Sequence, residues 1–122
     1  MNFETACRDV LAFRDEREWA QFHNPKDLAI SLSLEAAELL ECFQWSASDL
    51  DVSSRDESIR EELADVLIYA IYFADSKGID LASAIESKLA KNRDKYPVSV
   101  SRGSSKKYTE LDHSALEIDE PK

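Results

Sequence analysis

Glycine and proline are scarce: two Gly and three Pro stand among 122 residues, and long stretches contain neither. A turn-rich β fold needs more of both, so the chain is expected to be helical. Cysteine is thin too. Cys7 and Cys42 lie far apart with no CxxC spacing, which argues against a disulfide scaffold or a thiolate zinc site and fits a reducing cytoplasm. Positive charge is in deficit, with 15 Lys and Arg against 25 Asp and Glu, for a net charge of -10. A sequence-independent hold on DNA or RNA needs a basic surface, so nucleic acid polymers are poor partners. Nucleotides are not excluded, because divalent metals bridge acidic side chains to phosphate. No apolar run is long enough to span a bilayer, and the opening MNFETACRDV has no apolar signal core. We therefore expect a cytoplasmic protein that does not engage membranes.

What is present is helical periodicity over a length that suits one core. A first helix is expected from about Phe3 to Phe22, with Asn2 as N-cap and Phe3, Ala6, Val10 and Phe13 on one side. Asn24-Pro25 breaks and restarts the chain, with Asn24 capping and Pro25 at the first helical position. A second helix follows to about Trp45. The polar stretch Ser46 to Ser58 reads as a loop. A third helix runs from near Ile59 to just before Gly78, which suits the left-handed position after a helix. Asp80 caps a fourth, which must end before Pro97. The domain division expected is a helical catalytic domain over 1–98 and a flexible tail over 99–122, whose last ten residues are acidic.

Two helices carry carboxylates where apolar residues belong. On the second, Leu28, Leu32, Leu39 and Phe43 form the apolar stripe. Glu35 falls in its middle, within about 20° of Leu28 at about 100° per residue, and Glu38 lies at its edge. The third helix reads LADVLIYAIYFA from Leu63 to Ala74, apolar on nearly every side, with Asp65 its one charge. Such a helix is expected to be buried all round. Glu62, Asp65, Tyr69 and Tyr72 share a strip about 80° wide. A Glu facing a core costs several kcal/mol (roughly) if charged and unpaired, so something must compensate it. Glu-x-x-Glu on a helix ordinarily marks a solvated face, and Glu41 and Glu61 are expected to be such residues. The pairs Glu35-x-x-Glu38 and Glu62-x-x-Asp65 instead violate the apolar pattern. If the two helices pack antiparallel, four carboxylates meet. A cluster of hard oxygen ligands suits Mg²⁺ or Mn²⁺.

At these residues the chain resembles the MazG-like, all-α nucleoside triphosphate pyrophosphatases, and within them the dCTP pyrophosphatase branch. The stretches that carry the resemblance are FRDEREWAQFHNPKDLA, EAAELLECFQW, EELADVLIYAIYFAD, SKLAKNRDKYP and SSKKYTEL, spread from about Phe13 to Leu111. The resemblance implies an all-α bundle of four to five helices that assembles as a homodimer or homotetramer. It implies Mg²⁺ at Glu35, Glu38, Glu62 and Asp65, and hydrolysis of dCTP or a modified dCTP between the α- and β-phosphates. One departure matters. Some members of the dCTP branch carry a His on the first helix near where Val10 stands here, so strict cytosine selectivity does not follow from the likeness.

Roles can be assigned on that basis. Phosphoryl transfer asks a protein mainly to position groups and neutralise charge. Glu38 or Glu35 is the expected general base, with Glu38 preferred because it lies off the centre of the stripe. Lys88, Asn92 and Lys95 share one face of the fourth helix at i, i+4 and i+7. The family comparison matches Lys88, Asn92 and Arg93, which are expected to hold the triphosphate. Base recognition needs aromatic stacking and a few polar contacts. Trp19, Phe22, His23, Trp45 and Tyr69 are the candidates, with Trp19 and His23 on one face at i and i+4; the resemblance favours Trp19, His23 and Trp45. Lys106, Lys107 and Tyr108 in the tail are expected to cover a neighbouring subunit's site and contact phosphates.

Two other readings compete. A di-iron or di-manganese oxidoreductase bundle would use Glu-x-x-His ligands. The chain has only His23 and His113, and neither follows a Glu by three residues. A non-catalytic oligomerisation or interaction module would leave Glu35 and Asp65 uncompensated.

Overall fold

The structure, a computed structural model, describes residues 1–44, 53–105 and 109. Trp45, Lys106, Lys107 and Tyr108 lie outside the described residues, as does most of the loop expected after the second helix. The described residues form five helices and no strand: α1 (Phe3–Glu16), α2 (Pro25–Glu41), α3 (Asp56–Lys77), α4 (Leu81–Lys95) and α5 (Val98–Ser101). The expected all-α class is what is found. The chain divides into two compact units, Met1–Leu81 and Ala82–Lys122.

Local chemistry sets the helix ends. Asn2 accepts from the Thr5 amide at 2.8 Å, and Asn24 from the Asp27 amide at 2.9 Å, with Pro25 opening α2. Each side chain satisfies one amide that the first turn leaves unpaired. Gly78 ends α3 with φ 65°, and the Ile79 amide reaches back to the Ala74 carbonyl at 2.8 Å. A left-handed residue at this point costs glycine little.

Three boundaries differ from the sequence expectation. α2 ends at Glu41 rather than about Trp45. The first helix stops at Glu16 rather than Phe22. Glu18 adopts φ 54°, and Trp19–Phe22 forms a separate 3-10 turn. The apolar spacing runs on past the break, so periodicity alone does not register it. α3 begins at Asp56, three residues earlier than Ile59. Asp56 and Glu57 favour the positive end of the helix dipole there.

The core of the first unit lies where α2 and α3 pack, with α1 added against α3. Leu28, Cys42, Ile71, Tyr72 and Ala74 are buried. Arg14 is buried as well and ties α1 to α3, donating to Asp75 at 2.7 Å and to Asp15 at 2.9 Å. Arg55 donates to the Cys42 and Gln44 carbonyls at 2.9 and 3.1 Å. This clamp holds the end of α2 beside the start of α3. Glu35 lies about two turns back from it and Glu62 about two turns forward, so the helices run antiparallel and bring the two levels together. α3 is not buried all round within one chain, because Leu63 and Leu67 are exposed. The second unit carries α4 and α5, and the Tyr96 amide closes on the Asn92 carbonyl before Pro97.

Candidate metal centre and adjoining cavity

Glu35 of α2 and Glu62 and Asp65 of α3 each offer a carboxylate oxygen, and the three oxygens lie within 4.8 Å of one another. All three side chains are half-buried. Glu38 lies exposed at the edge of this trio, within hydrogen-bonding reach of both Glu35 and Glu62. The two pairs singled out by the apolar pattern thus face each other across the α2–α3 seam. Glu41 and Glu61, expected to be solvated, are exposed.

The electrostatics follow from the geometry. Burial, hydrogen bonding to Glu38 and repulsion from Glu38, Asp65 and Glu62 push the Glu35 carboxyl up from 4.5 to about 7. Burial, and then Glu38 in the same two ways with Asp65 and Glu61 adding repulsion, raises Glu62. Glu35 Oε2 and Glu62 Oε2 are buried with no hydrogen-bond partner. Buried polar atoms normally find partners. Two orphaned carboxylate oxygens on a shared centre, in an all-oxygen donor set, fit a hard divalent cation.

Beside the cluster lies a cavity of about 480 Å³. Asp65, Ile68, Tyr69 and Tyr72 line it from α3, Ala6, Asp9, Val10 and Phe13 from α1, and Trp19 from the 3-10 turn. The aromatic rings brace one another. Phe13 and Trp19 meet edge-on at 5.6 Å, and Tyr69 and Tyr72 edge-on at 5.7 Å. The Arg17 guanidinium lies 3.6 Å over the Phe13 ring, a cation–π contact that steadies the wall. A mostly apolar cavity opening onto a carboxylate cluster can seat a ligand with an apolar, ring-shaped end and an anionic end held through a cation.

Two expected base contacts, Trp19 and Tyr69, therefore come together on this cavity with Asp65. His23 does not join them. The 3-10 turn breaks the i, i+4 relation to Trp19, and His23 packs behind Tyr72 with ring centroids 5.0 Å apart. Its Nδ1 is buried without a partner, and burial, with Arg14 adding to it, lowers its pKa. His23 is not among the residues that line the cavity. Lys88, Asn92 and Arg93 lie on α4 in the second unit, Asn92 half-buried and the other two exposed. Phe13 and Tyr72 also line the cavity, and neither is among the contacts expected from the sequence. The signal was there for Tyr72, which shares the strip of Glu62, Asp65 and Tyr69. Val10 also lines the cavity.

Residues 30–111 match the model of the MazG-like family. The chain is similar to dCTP pyrophosphatase 1 of Homo sapiens, 42% identical over 88% of this chain and 66% of that protein. It is 43% identical to dCTP pyrophosphatase 1 of Bos taurus, over 84% of this chain and 64% of the relative. The chain thus spans just under two thirds of the length of these relatives. A crystal structure of a pyrophosphatase from Archaeoglobus fulgidus matches with a TM-score of 0.70 and 42% identity, covering 77% of this chain and 91% of that one.

Proposed function

Because the chain belongs to the MazG-like family, we propose that it is a nucleoside triphosphate pyrophosphohydrolase that converts dCTP or a modified dCTP to dCMP and pyrophosphate. One observation carries the reading: three carboxylates from two helices converge within 4.8 Å, with buried oxygens of Glu35 and Glu62 left unpaired. A non-catalytic module gives those oxygens no purpose.

Glu35, Glu62 and Asp65 would hold Mg²⁺, or Mn²⁺ in its place, with Glu38 completing the shell or standing beside it. Bound there, the cation supplies neutralisation of the phosphates and a water acidic enough to ionise near neutrality. Glu38, exposed at the edge of the trio, accepts the proton of the attacking water. Glu35, the other member of the same i, i+3 pair, is the alternative base. Water adds to the α-phosphorus, the bond to the bridging oxygen breaks, and pyrophosphate departs. Lys88, Asn92 and Arg93 contact the triphosphate. Trp19 and Tyr69 flank the base in the cavity, and Trp45 is assigned the same role from its sequence context.

The working form is a homodimer or homotetramer. Ile30 and Leu34 on α2, and Leu63 and Leu67 on α3, are large, apolar and exposed in the single chain. That much uncovered apolar surface is costly for a small soluble domain. Cys7 and Cys42 are both free thiols, and among the described residues no helix is long and apolar enough to cross a membrane. Both fit the cytoplasmic location we assign.

The test is a panel of nucleoside triphosphates with Mg²⁺, scoring pyrophosphate against orthophosphate. Pyrophosphate release, strongest with a cytosine nucleotide and lost in EDTA, is the expected result. Orthophosphate as the product, or no hydrolysis, contradicts the proposal.

A further inference from the structure

The cavity carries one charge that the carboxylate cluster does not explain. Ala6, Asp9, Val10 and Phe13 all line it from α1. Their spacing of i, i+3, i+4 and i+7 places them on one face of the helix. Three are apolar and the fourth is a carboxylate. The arginines in and just after α1 are engaged elsewhere: Arg8 with Glu4, Arg14 with Asp15 and Asp75, Arg17 with Glu16. Among the described residues Asp9 makes no ion pair and no side-chain hydrogen bond. Across the same cavity Asp65 belongs to the cation-binding trio. A ligand whose phosphates are held at Asp65 turns its other end towards the rest of the cavity, where Asp9 waits.

We propose that Asp9 selects the base, its carboxylate accepting a hydrogen bond from the exocyclic amino group of an aminopyrimidine. The inference rests on the reading of the cavity as the seat of the nucleoside. An ionised carboxylate offers acceptors only. Cytosine presents a donor at N4 where uracil and thymine present a keto oxygen, and a carboxylate accepting from that amine is an established way of reading cytosine. Against the keto oxygen Asp9 brings lone pairs to lone pairs. The Tyr69 and Tyr72 hydroxyls both donate and accept, so they tolerate either base. Asp9 is thereby a specificity-determining residue, and its exposed place at the cavity rim lets it be changed without disturbing the core.

The test compares dCTP with dUTP, which differ in the group at C4 and in the proton on the neighbouring N3, in wild type, Asp9→Leu and Asp9→Asn with Mg²⁺. Thermal melting checks that each variant is folded. Wild type is expected to favour dCTP. Asp9→Leu should lower kcat/KM for dCTP by about 10- to 100-fold, mainly through KM, and change dUTP by less than about threefold. Asp9→Asn can turn its amide donor to the keto oxygen and should raise dUTP relative to dCTP. A dCTP-to-dUTP ratio that is the same in all three proteins overturns the proposal. Calorimetric titration with dCMP and dUMP reads the cavity without turnover. If no triphosphate is hydrolysed, the hydrolase reading falls, and the titration still decides the role of Asp9. A dCMP preference lost in Asp9→Leu upholds it, and equal binding of the two monophosphates overturns it.

Discussion

Stripping divalent cations from the protein leaves Glu35, Glu62 and Asp65 facing one another, and the fold should register this as a loss of stability that grows with pH. In the native state the Glu35 carboxyl sits at about 7, against an ordinary value of 4.5. Between those two values the folded protein keeps a proton that the unfolded chain has released, so stability falls as pH rises. The contribution is fully present below about 4.5 and lost above about 7. At about 1.36 kcal/mol per pH unit the ceiling is about 3 kcal/mol. Water reaches the half-buried cluster, and screening reduces this to about 1 kcal/mol. For a chain of this length that shifts Tm by about 4 °C. The assay is calorimetric melting in chelator at pH 5 and pH 8, for wild type and Glu35→Gln. Wild type should lose about 4 °C more than the variant across that interval, and excess Mg²⁺ at pH 8 should restore wild type and leave the variant nearly unmoved. Equal pH dependence in the two proteins would refute the electrostatic argument.

The other predictions address turnover, the cavity and the core. Asp65→Asn should abolish pyrophosphate release, by more than the roughly 100-fold loss typical of altering a group that merely supports a ligand; near-normal steady-state activity would show the ligand assignment wrong. Trp19→Ala should raise KM for dCTP by about tenfold or more through lost stacking, and a loss confined to kcat counts against a base contact. Leu28→Ala empties a site that is 2% exposed and should cost about 2–5 kcal/mol in urea unfolding. A cost under about 1 kcal/mol would mean that the α2–α3 seam is not the core.

Much of this was legible because helices write their geometry into spacing. Asn2, Asn24-Pro25 and Gly78 mark ends by chemistry local to a few residues. Glu35 stood out because a charge in the Leu28–Leu32–Leu39 stripe must face whatever that stripe faces. Asp65 stood out in the same way within LADVLIYAIYFA. The break at Arg17–Glu18 was not legible. Neither Gly nor Pro marks it, and the left-handed Glu18 is held by surrounding structure rather than by its own preference. That break also decided the fate of His23, which an unbroken helix would have set beside Trp19. The exposure of Leu63 and Leu67 shows the limit from the other side, since periodicity reveals which faces are apolar and not what covers them. The cavity wall from α1 depended on how α1 packs on α3, a tertiary fact with no local signature.

Glu35 of α2 and Glu62 and Asp65 of α3 are placed to share one divalent ion. The most direct measurement is an anomalous difference map from a crystal grown with Mn²⁺. A peak about 2.2 Å from carboxylate oxygens of Glu35, Glu62 and Asp65, absent in Asp65→Asn, is the predicted result. Ordered Mn²⁺ elsewhere in the crystal, with those three carboxylates bare, would contradict it.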